Sequence, residues 1–159
     1  MQKTAHAGDV KHFALIGAIL IGYIALDRVT KLAFMEQSAD RGLSLIPGVL
    51  ETTHHQNFGV IANLPIPLIL IIGLTFFALA VLIVLLKRSI ETGTPIETMA
   101  LSGIMAGALG NLWDRLQWGY VFDWILLFNR SVINLADIFI AEGLLLYILT
   151  RHLKHRSGR

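Results

Sequence analysis

Leu64 to Leu86 reads LPIPLILIIGLTFFALAVLIVLL, 23 residues without a charge, closed at once by Lys87-Arg88. A bilayer hydrocarbon core of about 30 Å is crossed by about 20 apolar residues in a helix, so this stretch predicts a membrane span with a basic flank. The rest of the chain agrees. Of its 159 residues, 55% are hydrophobic and only 15% charged, and the mean hydropathy is +0.66. That leaves too little polar surface for an ordinary soluble domain.

Working outward, Phe13 to Phe34 forms an earlier span whose last turns carry Asp27, Arg28 and Lys31. A cleaved secretory signal is the alternative for this segment, since Lys3 and Lys11 precede it. It fails because Leu26-Asp27-Arg28 offers no small-x-small cleavage site and further spans follow. A third span covers about 96–113, where Gly103, Gly107 and Gly110 permit close helix approach and a central position. A fourth covers about 132–150 and is apolar apart from Asn134, Asp137 and Glu142. The expected fold is an all-α membrane protein: one integral-membrane unit over residues 1–159, a four-helix transmembrane bundle with spans at 13–34, 64–86, 96–113 and 132–150. The longest connection, Met35 to Asn63, is turn-rich (Gly42, Pro47, Gly48, Gly59) and predicts a small extracytoplasmic β or loop element between helices 1 and 2.

The net charge of +2 and pI near 9.2 do not point to nucleic acid, because the basic residues sit in short flanks without an aromatic-basic surface. They report orientation instead. Lys3, Lys11, Lys87, Arg88, Arg151, Lys154, Arg156 and Arg159 fall at one set of helix ends, predicted cytoplasmic with both termini. Arg28, Lys31, Arg41, Arg115 and Arg130 fall at the other set, among Asp27, Glu36, Asp40, Glu51, Asp114, Asp123 and Asp137. The absence of cysteine excludes disulfides, thiolate metal sites and a cysteine nucleophile.

With that parity, the outer face collects Asp27 and Lys31 at the end of the first span, Asn57 before the second, Asn111, Asp114 and Arg115 at the end of the third, Asp123 after it, and Asn134 and Asp137 opening the fourth. Asp27 with Lys31, Asn111 with Arg115 and Asn134 with Asp137 are spaced i,i+4 or i,i+3, so each pair shares a helix face. Ionisable side chains at membrane depth cost a few kcal/mol and normally face a cavity or a partner, which makes them functional candidates.

GALGNLWDRLQWGYVFDW (Gly107 to Trp124) followed by INLAD (Ile133 to Asp137) resembles the paired signature of lipoprotein signal peptidases, or signal peptidase II. Asp27-Arg-Val-Thr-Lys31 is similar to that family's Asp-x-x-x-Lys, and Asn57-Phe-Gly59 to its Asn-x-Gly. The likeness spans nearly the whole chain in order and spacing. It departs after Gly59, where Val60-Ile61-Ala62-Asn63 replaces the family's usual small residue and Ala-Phe.

The resemblance implies that Asp123 and Asp137 are a catalytic pair, supported by Asp27, Lys31, Asn57, Gly59, Asn111, Asp114, Arg115 and Asn134. Asn134 is expected to orient Asp137, and Arg115 to pair with Asp114 or with backbone carbonyls. Asp27 and Lys31 are expected to form an ion pair shaping the rim. The implied substrate is a bacterial prolipoprotein carrying a diacylglyceryl group on its lipobox cysteine, cut just before that cysteine. The implied setting is the cell inner membrane, with membrane lipids as the other partners, no cofactor, no metal, no nucleic acid and a monomeric enzyme. Chemically, two close carboxylates share a proton, so one can activate water while the other hydrogen-bonds the scissile carbonyl.

Blander readings weigh on several residues. Trp113, Trp118 and Trp124 suit interfacial anchors as well as substrate clamps. Adjacent His54 and His55 in a loop seldom ligate one metal, and Ser102 lacks a base. Glu142 is expected to be structural, hydrogen-bonding a residue such as Ser102 or Thr75. A transporter subunit using Asp137 and Glu142 as a proton relay is the rival, disfavoured because the segment is apolar from Glu142 to Thr150.

Overall fold

In the computed structural model the chain runs α1 (Ala7–Met35), β1 (Ser44–Ile46), β2 (Leu50–Asn57), α2 (Leu68–Glu91), α3 (Pro95–Trp118), β3 (Val121–Leu127), β4 (Ser131–Ile133) and α4 (Leu135–Ser157). Residues 7–36, 42–59 and 66–157 are described. Lys3, Asp40, Arg41 and Arg159 of the charge pattern, residues 64–65 of the second span and the departure at 60–63 lie outside them.

The helices differ from the expected spans at their ends for local reasons. Pro67 precedes α2 in extended conformation, because proline supplies no amide hydrogen and clashes with a preceding helical turn, so the helix starts at Leu68. α2 continues through Lys87-Arg88 to Glu91, and α3 continues to Trp118, where Gly119 takes the left-handed conformation (φ 80°) that closes a helix. Val132 and Ile133, expected within the fourth helix, belong to β4 instead. Helix α1 over 13–35 and helix α2 are long and apolar enough to cross a membrane.

α3 is the hub, since α1, α2 and α4 each pack against it. Its buried positions include Gly103, Gly107 and Gly110 as well as Leu101, Met105 and Leu112. Two of these glycines are required. A methyl group on Gly107 would collide with the Ala136 carbonyl and lie 2.7 Å from Ile140 Cγ1, and one on Gly110 would lie 2.9 Å from Asp27 Oδ2. Gly143 of α4 does the same in reverse, packing against the Ala100 carbonyl. Gly107→Ala is therefore expected to cost about 1–3 kcal/mol through overpacking. Gly73→Ala, at a position of α2 with open space around it, should be neutral or slightly stabilising. Unfolding of the two purified variants in one detergent checks the contrast.

The polarity of the molecule is inverted relative to a soluble protein. Ile69, Phe77 and Val84 of α2, Ile21 and Val29 of α1 and Leu145 and Ile148 of α4 are exposed, while Asp27, Lys31, Asn111, Asp114, Asp123 and Asn134 are buried. Apolar flanks around a polar interior are what a lipid-facing protein needs, and the chain is a membrane protein.

The β element is larger than expected and is not confined to the first connection. β1 and β2 come from there, but β3 and β4 come from the connection between α3 and α4, giving one antiparallel sheet in the order β1-β2-β3-β4. In the β2–β3 register Asn57 lies opposite Val121 and His55 opposite Asp123. That pairing brings the two connections together over the same end of the helices.

Candidate active site

The loop-to-helix transition at Ile133-Asn134-Leu135-Ala136-Asp137 sets the geometry. Asn134 precedes the first turn of α4 and its Oδ1 accepts from the Asp137 amide (3.0 Å), while Asp137 Oδ2 accepts from the Asn134 amide (3.2 Å). This reciprocal arrangement is a capping box with asparagine and aspartate in place of the usual Ser/Thr and Glu/Gln. The spacing of three therefore has a backbone cause: Asp137 is held by the start of its own helix. A carboxylate is favoured there by the positive end of the helix dipole.

Asn134 also reaches across to the sheet, where its Nδ2 donates to Asp123 Oδ1 at 2.6 Å. Asp123 sits on β3 and is 0% exposed, with its other oxygen accepting from Asn57 Nδ2 of β2 at 3.0 Å. Asp137 is half-buried, and its Oδ1 accepts from Asn111 Nδ2 of α3 at 2.8 Å. Each carboxylate thus receives two amide N–H groups, and Asn134 contributes one to each. Asn111 and Asn134 are joined directly (Nδ2 of Asn134 to Oδ1 of Asn111, 3.2 Å) and Asn57 connects to them through Asp123, so the three amides frame the two acids.

Burial pushes the Asp123 carboxyl up to about 6, and the neighbouring Asp137 charge adds to that rise. Hydrogen bonds from Asn134 and Asn57 and the charge of Lys31 pull the other way. The folded state holds this proton more tightly than the unfolded chain. Ionising Asp123 consequently opposes folding, by an amount absent below pH 3.8 and complete above about 6. Asp137→Asn removes the repelling charge and is expected to lower the Asp123 midpoint. Carbon-13 NMR titration of labelled aspartates measures it, and an unchanged midpoint would mean the two acids do not sense each other.

Behind the acids lies a second polar cluster. Lys31, 0% exposed, contacts Asp27 Oδ2 at 3.0 Å and Asp114 Oδ2 at 2.7 Å, and donates to Asn111 Oδ1 at 3.3 Å. Arg28 pairs with Asp27 (3.0 Å) and with Asp114. Two cations and two carboxylates thus compensate one another, tying α1 to α3. Asp27 Oδ1 also accepts from the Ala136 amide (3.1 Å), adding an α1 cap to the start of α4. Asp27 and Lys31 therefore lie inside the bundle, behind the acids, and not at a rim. Arg115 takes the carbonyl alternative: it donates to Gly59 O at 2.8 Å and Asn111 O at 3.4 Å, holding the β2 exit against α3. Gly59 N donates to Asn57 Oδ1 at 3.0 Å, which turns the Asn57 amide toward Asp123.

All ten residues singled out in the sequence thus meet at one end of the helices. Sequence reasoning missed Arg28 as a member, although its position next to Asp27 in the same motif was the available signal. The aromatic residues divide: Trp124 stacks on Phe34 (3.9 Å), Arg28 lies over Trp118 (5.5 Å), and Trp113 is exposed. Glu142 does not make the expected bond. It is exposed beside Tyr23 and Phe139, and the Ser102 and Thr75 hydroxyls donate to carbonyls of their own helices, Thr98 O and Ile71 O. Among the described residues no cluster of three His, Asp or Glu suited to a metal ion occurs.

Comparison with known proteins gives one consistent answer. The pattern of the family Signal peptidase (SPase) II matches residues 19–153. A lipoprotein signal peptidase of Halothermothrix orenii is 31% identical, covering 85% of this chain and 93% of that protein. One from Caldicellulosiruptor bescii is 33% identical, covering 80% and 84%. The fold is similar to that of a solved bacterial membrane enzyme, with a TM-score of 0.74 at 24% identity over 91% of this chain and 90% of that one.

Proposed function

This chain belongs to the signal peptidase II family, and from that premise we propose that it is an intramembrane aspartic endopeptidase. It removes the signal peptide from diacylglyceryl-modified bacterial prolipoproteins, cutting before the lipobox cysteine. The observation that carries the reading is the pair of carboxylates joined through Asn134, whose side-chain amide donates to Asp123 and whose backbone N–H donates to Asp137.

In this reading the two acids share one proton. The ionised member takes a proton from water, and the protonated member hydrogen-bonds the scissile carbonyl and then supplies the leaving amine. Which aspartate starts protonated is a property of the pair. The amide frame of Asn57, Asn111 and Asn134 keeps both carboxylates in place, because each of its donors prefers an acceptor oxygen aimed at it. Cleavage is expected to decline on the alkaline side as the shared proton leaves.

All four helices cross the inner membrane in this account, with both termini cytoplasmic and the acids near the outer surface. The distribution of Lys and Arg supports that orientation. A groove of about 620 Å³ between α1 and α3, lined by Ile24, Leu32, Leu109, Trp113 and Trp118 together with Arg28 and Gln117, has room for an acyl chain that stays in the bilayer while the peptide reaches the acids. The test is mass-spectrometric mapping of the bond cut by the purified chain in a lipid-modified precursor and in its unmodified counterpart. Cleavage just before the modified cysteine, with the unmodified precursor cut far more slowly, is expected. Cleavage elsewhere, or no preference for the modified form, would overturn the substrate assignment.

A further inference from the structure

At the other end of the helices, α2 ends, α3 begins and α4 runs out in basic residues. A cavity of about 140 Å³ lies there, lined by Leu85, Arg88, Glu97, Tyr147, Arg151 and Lys154 among others. Arg151 is 14 residues beyond Asp137 on α4. At 1.5 Å per residue, that puts the cavity about 20 Å from the acids along the helix axis.

Its charges do not cancel. Lys154 is matched by Glu97, whose buried carboxylate in the first turn of α3 lies 2.7 Å from the Lys154 Nζ. Arg88 and Arg151 line the space and have no ion-pair partner among the described residues, so their two charges are uncompensated. Ser89 and Thr92 add hydroxyl groups, and the apolar part of the lining is Leu85 and the ring of Tyr147, which adjoin the lipid-facing flank of α2 and α4. The cavity thus has a cationic side and a hydrocarbon side, and it sits where the uncharged run of α2 gives way to Lys87-Arg88.

We infer that this cavity binds the phosphate of an anionic phospholipid, with Arg88 and Arg151 as its ligands and Leu85 and Tyr147 against the first part of an acyl chain. Guanidinium groups suit phosphate because their N–H forks match two of its oxygens. A free phosphate shares that chemistry, but it would leave the apolar lining uncovered. The inference depends on α2 meeting a bilayer surface and is independent of the peptidase chemistry.

The experiment is native mass spectrometry of the delipidated full chain in nonionic micelles, offered phosphatidylglycerol and phosphatidylcholine together. Wild type should retain phosphatidylglycerol preferentially. Arg88→Gln and Arg151→Gln should each lower that preference about fivefold, the factor that corresponds to the attraction of one basic side chain near an anionic surface. Lys87→Gln removes the same charge one residue away but outside the cavity, and should leave the preference intact. Matched thermal unfolding shows whether the arginine variants remain folded, and an added binding measurement on Lys154→Gln, which frees Glu97 to repel the headgroup, should also show reduced retention. No preference in wild type, or an equal loss with Lys87→Gln, would overturn the site. Displacement of the lipid by inorganic phosphate would overturn the lipid as its occupant.

Discussion

Lys31→Met should destabilise the folded protein by about 3–5 kcal/mol, the cost of leaving buried carboxylates without one of their partners. Lys31 lies between Asp27 and Asp114 at 3.0 and 2.7 Å, with Asn111 as its third acceptor. Removing it leaves Arg28 alone to serve two buried acids, themselves at most 1% exposed. The damage should travel, because Asp27 also caps α4 at Ala136 and Asn111 holds Asp137. A second change reveals the cause: Asp114→Asn combined with Lys31→Met removes the excess negative charge and should restore part of the loss. Equilibrium unfolding in mixed micelles measures both. If Lys31→Met unfolds like wild type, the four charges are not the fastening between α1 and α3 described above.

Much of this architecture is readable from the sequence, and the reasons differ by element. The apolar runs within α1 and α2 declare themselves because a bilayer imposes a length on them. The role of α3 is visible in Gly107 and Gly110, since only close helix contact gives glycine a use at that spacing. The gathering of Asp27, Asn111, Asp114, Asp123 and Asp137 follows from counting charges at helix ends. The sheet is less legible: β2 pairs with β3 across an intervening helical hairpin, and strand register between such distant segments depends on where α2 and α3 deliver them. Partner choice within the charge cluster is equally hidden. Asp114 is taken by Arg28 and Lys31 of α1 while Arg115 turns to carbonyls, an outcome set by the rotation of α1 against α3. The Asn134–Asp137 capping box lies in between, since its spacing is plain in sequence but its cause appears only once Val132 and Ile133 are seen to be strand.

The largest functional effect is expected at the two acids. Asp123→Asn and Asp137→Asn each keep the shape of the side chain and one of its two acceptor oxygens, so each variant loses one hydrogen bond of the amide frame while the fold should survive. On the proposed mechanism, neither variant can hold or release the proton that the pair shares. Each variant should lose activity by about a thousandfold or more, within the range general acid–base groups supply, and the double variant should be little worse than either single one because the residues act as a unit. Losses that multiply would instead indicate two independent contributions.

The most direct measurement is therefore single-turnover cleavage of a purified diacylglyceryl-modified prolipoprotein by wild type, Asp123→Asn and Asp137→Asn, each shown to be folded by its unfolding midpoint. The account predicts complete conversion by wild type and intact precursor with both variants over the same interval. Normal conversion by either Asn variant would contradict it.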